Sequence, residues 1–179
     1  MKKMIIAVVL LWSIPALSQI RSVTLTASGL TCSMCSKAIY KALQKVPFVK
    51  NVDPDVEKST FTVQFKDRDN VVLDELKRAV QDAGFSVASM VVTANFNNQE
   101  VYNDAHILID GSTFHFLNVN RQTLQGDKTF TIVDKNYISA AQHKKYAKYT
   151  TMKCFETGTM AACCPKNKNN STRIYHATL

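Results

Sequence analysis

The segment Gly29-Leu30-Thr31-Cys32-Ser33-Met34-Cys35-Ser36 decides the fold of the first half of the chain, because it joins an alternating strand pattern to an amphipathic helix pattern. It also places two thiols three residues apart. Backbone N–H groups at a helix N-terminus and the positive end of the helix dipole favour the thiolate form. Two thiolates at this spacing can bind one soft metal ion, although redox enzymes and zinc sites use the same Cys-x-x-Cys spacing.

The residues on either side of this segment predict a strand and a helix. Val23, Leu25 and Ala27 alternate with polar residues, which indicates a half-buried strand ended by Gly29. The helix is predicted from residues that recur at helical spacing up to the stop at Pro47: Cys35, Ile39, Leu43 and Val46.

A hairpin, a second helix and a final strand follow. Val49 and Val52 begin a short strand, and residues 61–65 alternate as the next one after a turn. Apolar positions at helical spacing from Val72 to Ala83 predict the second helix, with Gly84 as its stop. The order strand, helix, strand, strand, helix, strand is the ferredoxin-like βαββαβ sandwich of α+β proteins. In that topology the loop before the last strand lies beside the first loop, so we expect Phe85 to lie near the cysteines.

Residues 20–93 resemble the heavy-metal-associated domain family, which includes copper chaperones and periplasmic mercury-binding proteins. Gly29-Leu30-Thr31-Cys32-Ser33-Met34-Cys35 matches the family signature Gly-Met-Thr-Cys-x-x-Cys, with Leu30 in place of Met. Leu30 keeps an apolar side chain to pack under the loop. The ending Ala83-Gly84-Phe85 also agrees. The resemblance implies a metal site formed by Cys32 and Cys35, with Thr31 shaping the loop and Phe85 shielding the site.

Two thiolates favour a particular class of ion. Cu(I) accepts two sulfurs in a nearly linear arrangement, whereas Zn(II) prefers four ligands. We therefore expect Cu(I), with Hg(II), Cd(II) and Zn(II) as alternative ions, and we expect Met34 to point to solvent. A two-sulfur site leaves a flank open for an incoming thiolate from a metal-transporting membrane pump or another thiol-bearing protein. Such a cycle needs no general base or nucleophile, so we expect a metal-transfer protein and not an enzyme.

Three other functions use the same motif. A mercury-binding protein that feeds a transporter would bind Hg(II) through the same sulfurs. A thiol-disulfide oxidoreductase uses Cys-x-x-Cys at a helix start, but its motif has a Trp before and usually a Pro between the cysteines, where this chain has Thr31 and Ser33-Met34. In an adaptor, the second half would dock a membrane pump while the first half senses metal.

The first 18 residues predict a secretory signal peptide. Lys2 and Lys3 precede an uncharged run from Ile5 to Trp12, and Ala16-Leu17-Ser18 suits cleavage after Ser18. The run is shorter than the ~20 residues that a spanning helix needs. We therefore expect a secreted protein, in a bacterial periplasm, without stable membrane insertion. The net charge of +8 comes from scattered lysines, which indicates a solvated surface and not a nucleic-acid site.

The chain after the signal divides, by its pattern, at an Asn-rich run near residues 94–99. We expect a heavy-metal-associated domain over 19–94 and a small β-rich, barrel-like domain with one helix over 95–179. In that second half strands are predicted at 106–111, 113–117, 128–133 and 172–179, and Ser139 is predicted to cap the helix.

Three cysteines lie close together near the end of the chain. In an exported protein, Cys154 paired with Cys163 or Cys164 would form a disulfide that closes a short loop and contributes roughly 3 kcal/mol. The alternative is a second soft-metal site with two or three of these sulfurs. Side chains that could join that site are Met152, Met160, His143 and His176. We interpret His106 and His115 as core or surface residues of strands.

Overall fold

The computed structural model describes residues 18–30, 33–66, 70–160, 164 and 173–179. Cys32, Thr31, Cys163 and the predicted signal peptide up to residue 17 lie outside these ranges. The first half contains β1 (Gln19–Ser28), α1 (Ser33–Gln44), β2 (Val49–Asp55), β3 (Thr60–Phe65), α2 (Leu73–Asp82) and β4 (Ser86–Val101).

These six elements form the predicted ferredoxin-like arrangement. β1 pairs antiparallel with both β3 and β4, and β2 pairs with β3. The period-2 pattern holds because Val23, Leu25 and Ala27 are all buried in the main core. The helical pattern holds because Ile39 of α1 and Leu76 of α2 are buried in that same core. The α+β class predicted from the sequence is confirmed.

The second half supplies more strands and short helices. They are β5 (Ala105–Ile109), β6 (Ser112–Phe116), β7 (Gln122–Ile132), α3 (Ala140–Tyr146), a 3-10 turn (Ala147–Tyr149), α4 (Cys154–Thr157) and β8 (Ile174–Thr178). Ser139 caps α3 through a capping box with Gln142, as predicted. The remainder is rich in strands as expected, and its described residues contain two short α-helices, α3 and α4, where one helix was predicted.

In the described part of the chain, strands β1 to β8 lie in one sheet, in the order β2-β3-β1-β4-β7-β8-β6-β5. The second half was expected to form a barrel-like unit of its own. Its strands instead extend the first sheet, because β4 is long enough to pair antiparallel with β7 along the edge that β1 leaves open. β8 then joins β7 antiparallel and β6 parallel.

The predicted boundary after residue 94 lies inside β4. The Asn-rich run holds an irregularity of this strand, with a register shift between Phe96 and Gln99 against β7. Asn98 has a φ of 49°, a left-handed conformation that Asn adopts more readily than most residues. The polar run therefore bends the strand at this point. The division into two folding units stays a prediction.

Asp74, in the first turn of α2, connects the two halves of the chain. It accepts hydrogen bonds from Tyr137 Oη (2.7 Å) and Arg173 Nε (2.7 Å). Arg173 also donates to Asp134 Oδ2 over 2.9 Å. Burial alone would raise the pKa of Asp74, but the hydrogen bonds from Arg173 and Tyr137 outweigh it and hold that pKa well below its usual value. Asp74 is therefore ionised at neutral pH and connects α2 to Arg173, which directly precedes β8, and to Tyr175 within β8.

Candidate functional site

Cys35, the second cysteine of the Cys-x-x-Cys segment, lies at the start of α1, which follows β1 in the chain. Gly29 follows β1 with a φ of 84°, a conformation that a side chain with Cβ rarely adopts. α1 begins at Ser33, so Cys35 lies in its first turn, where the helix dipole favours a thiolate. Cys35 is half-buried. Met34 is 70% exposed, in agreement with the expectation that it points to solvent.

Phe85 lies beside this loop, as the topology predicts. A Cβ built on Gly29 would meet Phe85 Cδ1 at 4.0 Å. Phe85 and Leu30 are both partly buried against the main core. The support of the metal-binding loop by Leu30 stays a prediction. Of the four residues predicted for the first site, the structure therefore places Cys35 and Phe85 at the same end of the sheet. Thr31 and Cys32 lie outside the described residues.

The C-terminal sulfurs form a small cluster. Cys154 and Cys164 are buried with Ile174, and the partly buried Met152 and Met160 pack against them. The structure thus brings together two of the three predicted cysteines and both predicted methionines. Cys163 lies outside the described residues. Both the disulfide and the second metal site stay predictions.

The two histidines proposed to assist these sulfurs have other neighbours. His143 stacks on Phe155, with ring centroids 4.3 Å apart. His176 Nδ1 lies 2.5 Å from Asp134 Oδ1. Within the described residues, a different group has donor atoms that lie within 4.8 Å of one another: His106, His115 and Cys154.

Our interpretation of His106 and His115 as ordinary strand residues missed this grouping. The signal was present in the hairpin turn, because Asp110-Gly111 is a strong two-residue turn signal and fixes the strand register. Both turn residues have positive φ, and the resulting register pairs His106 with His115. Cys154 could not be placed from its position in the sequence, since it reaches the pair through tertiary packing.

The environment of His115 keeps its ring neutral. Its side chain is fully buried, and Nε2 lies 2.8 Å from Asp104 Oδ1. Burial, together with the neighbouring His106, lowers the pKa of His115 to about 4. A neutral imidazole has one nitrogen lone pair available, so His115 is in its metal-ligating form at neutral pH.

None of the helices within the described ranges is long and apolar enough to cross a membrane.

Known proteins are similar to the first half of the chain. A periplasmic component of a mercuric transport protein from Pseudomonas fluorescens is 36% identical over 86 residues, covering 48% of this chain and 93% of that protein. The copper chaperone CopZ of Staphylococcus aureus (strain JH9) is 30% identical over 63 residues, covering 35% of this chain and 91% of that protein.

Among solved structures, oxidized MerP from Ralstonia metallidurans CH34 is 37% identical, covers 38% of this chain and 96% of that chain, and has a TM-score of 0.34. Residues 24–86 match the heavy-metal-associated domain, and this range includes Cys32, Cys35 and Phe85. The chain belongs to the heavy-metal-associated domain family.

Proposed function

We propose that this protein binds a soft metal ion, Cu(I), between Cys32 and Cys35 and transfers it to a thiol-bearing partner. The observation that carries the proposal is the position of the Cys-x-x-Cys segment within residues 24–86, the range that matches the family. The start of α1 at Ser33 supports it, since Cys35 then lies where a thiolate is favoured.

The chemistry of transfer needs only ligand exchange. A partner thiolate attacks the bound Cu(I) on its open flank and forms a three-coordinate intermediate. One cysteine sulfur of this chain then dissociates, and the second follows when another partner sulfur binds. Each incoming thiol loses its proton and each released thiolate can regain one, so the exchange consumes no electrons. Phe85, next to Gly29, limits solvent access on the side of α2.

Mercury is the second candidate cargo, because one of the relatives above is a mercuric transport component and is 36% identical to this chain. Hg(II) accepts two thiolates as readily as Cu(I) does. Under this alternative the same cysteines would bind Hg(II) and supply a mercury transporter. We propose export to the periplasm for both candidates, with cleavage of the signal peptide after Ser18 and a membrane pump or transporter as the receiving partner.

An anaerobic competition titration tests the proposal. Reduced Cys154→Ser protein, which keeps Cys32 and Cys35, is titrated with Cu(I) against a chromophoric Cu(I) chelator. Hg(II) is then added to the copper complex. We expect one Cu(I) to bind, and the Cys32→Ser/Cys35→Ser change in that background to remove it. If one equivalent of Hg(II) displaces the bound copper at every protein concentration tested, and added Cu(I) does not displace the Hg(II), the result would instead favour mercury as the cargo. Insulin reduction by the dithiol protein at the rate of a disulfide reductase would contradict a pure transfer role.

A further inference from the structure

Three histidines lie side by side on adjacent strands of the second half. The registers pair His106 on β5 with His115 on β6, and His115 with His176 on β8. The rings of His106 and His115 stack at 4.4 Å, and those of His115 and His176 meet edge to face at 5.1 Å. Cys154, at the start of α4, places Sγ 3.7 Å from His115 Nδ1. Imidazole nitrogens and a buried sulfur therefore meet at one point of the sheet.

Asp104 orients two of these rings. Its carboxylate Oδ1 lies 2.8 Å from His115 Nε2, so that nitrogen carries the proton and donates it to the carboxylate. The lone pair of His115 is then on Nδ1, the atom that faces Cys154. The backbone carbonyl of Asp104 lies 3.2 Å from His106 Nδ1, and since a carbonyl only accepts, that nitrogen is the donor. The lone pair of His106 is then on Nε2.

His106 Nε2 is a buried nitrogen without a hydrogen-bond partner in the described part of the chain. Buried polar atoms usually have a partner, and an unsatisfied one costs about 1–3 kcal/mol. Histidines that bind metals usually donate the N–H of one ring nitrogen to a carboxylate or carbonyl, and the other ring nitrogen binds the metal. Asp104 provides such a partner to both His106 and His115.

We propose that His106, His115 and Cys154 form a second, buried site for Cu(I). One donor atom from each lies within 4.8 Å of the other two. In a site with metal–donor bonds of about 2.0–2.3 Å, neighbouring donors lie about 3.5 Å apart. The rings of His106 and His115 are stacked at an interplanar angle of 12°, so one ring must tilt as well as move inward to complete the site. The proposal rests on this geometry and does not depend on the function proposed for Cys32 and Cys35.

The donor set selects the ion. Two imidazoles and one thiolate suit copper and zinc, whereas Mg(II) and Ca(II) take oxygen ligands. Structural zinc sites are almost always four-coordinate, and zinc sites with three protein ligands keep a fourth position open to water. Here His115 and Cys154 are buried and the group supplies three donors, which suits three-coordinate Cu(I). Met152, Met160 and Cys164 beside Cys154 keep the surroundings soft and apolar. Because His115 and Cys154 are buried, these two donors would shield a copper ion held here from water.

A catalytic interpretation of the same residues fits the structure less well. The order Cys154, His115, Asp104 is that of a thiol, a base and an orienting carboxylate, as in cysteine hydrolases. Cys154 and His115 are both 0% exposed, so a substrate carbonyl could not reach the sulfur in this conformation. An ion needs far less space than a substrate, and it also satisfies His106 Nε2.

The predicted disulfide from Cys154 to Cys163 or Cys164 uses the same sulfur. Metal binding is therefore expected of the reduced protein, and oxidation to that disulfide should abolish it. Comparing copper binding by the reduced and the oxidised protein therefore gives a second test of the proposal.

The test uses full-length protein with Cys32→Ser/Cys35→Ser, which removes the first site. The reduced protein is loaded anaerobically with Cu(I), the bound ions are counted by native mass spectrometry, and the ligands are read by X-ray absorption at the copper edge. We expect one Cu(I) with two imidazole nitrogens and one sulfur. Adding Cys154→Ser or His106→Gln should weaken binding at least about tenfold. His143→Gln is the matched control, since His143 is a histidine outside the group, and should leave binding unchanged.

Four outcomes would overturn the proposal: no bound Cu(I) in the reduced parent, a spectrum without imidazole, equal affinity in the Cys154→Ser protein, or equal binding by the oxidised protein. Preferential binding of Zn(II) over Cu(I) would contradict the choice of ion. If a variant fails to fold, the X-ray absorption spectrum of the copper-loaded parent still tests whether the ligands are two imidazoles and one sulfur. Failure here leaves the titration of the Cys154→Ser protein unaffected, so the two proposals are tested separately.

Discussion

Arg173 donates from Nε to Asp74 Oδ2 over 2.7 Å, and this ion pair joins the residue directly before β8 to the first turn of α2. The two residues are 99 positions apart in the chain. Asp74 also accepts from Tyr137, which lies in the turn before α3, so distant segments of the chain converge on one carboxylate. The two halves of the chain are therefore connected through a charged contact as well as through the shared sheet.

Asp74→Asn should destabilise the protein by about 2 kcal/mol, because it removes the charge that receives hydrogen bonds from Arg173 and Tyr137. The free energy of unfolding from urea titrations measures the change. Asp82→Asn is the matched control, since Asp82 is an exposed carboxylate on the same helix, and it should change stability by less than about 0.5 kcal/mol. Equal effects of the two substitutions would contradict the structural role of Asp74.

The same carboxylate predicts a pH dependence of stability. Because the folded-state pKa of Asp74 lies below its usual 3.8, the unfolded chain binds this proton more readily. The stabilisation by Asp74 is thus complete above about pH 5 and is lost as the pH falls through 3.8 towards the lower folded value. In urea titrations from neutral to acid pH, the difference between the parent and Asp74→Asn should shrink as the pH falls. A difference that grows on acidification would contradict this assignment.

Asp104→Asn tests how the second site is held. Asp104 has a φ of 65°, which Asn also tolerates, so the backbone turn should persist. Loss of the carboxylate weakens the orientation of His115, and we expect Cu(I) affinity in the Cys32→Ser/Cys35→Ser background to fall by about 10-fold or more. X-ray absorption should still show imidazole, with greater disorder in the metal–nitrogen distance. Unchanged affinity and an unchanged spectrum would exclude a positioning role for Asp104.

Phe130→Leu tests whether the halves unfold together. Phe130 on β7 is 1% exposed and packs edge to face against Phe96 of β4 and Phe114 of β6. We expect a loss of about 1–2 kcal/mol, seen as faster hydrogen exchange in β3 as well as in β6. Leu108→Ala, at an exposed position of β5, serves as the control. Exchange in β3 that stays at the parent rate would support the predicted division after residue 94.

Local sequence patterns were sufficient to predict the secondary structure of the first half and individual strands of the second half. The alternation at Val23 and Leu25 and the helical spacing at Ile39 and Leu43 depend on neighbours within a few residues, and both match the buried faces observed. The Asn-rich run was predicted to be a boundary between domains because polar stretches are typical of linkers. In the structure it is an irregularity within β4, which continues beyond it.

The second site depended on long-range contacts that sequence spacing does not encode. Cys154 meets His115 across 39 positions of the chain, and β8 joins β6 in parallel from the far end of the chain. The pairing of His106 with His115 was the one part that a local rule, the Asp110-Gly111 turn, could have supplied.

The most direct test of the central claim counts ions on the first pair of cysteines. Reduced Cys154→Ser protein is exposed anaerobically to one equivalent of Cu(I) and compared, by native mass spectrometry, with the same protein carrying Cys32→Ser/Cys35→Ser. We predict one bound ion in the former and none in the latter. The same stoichiometry and affinity in both proteins would contradict the account.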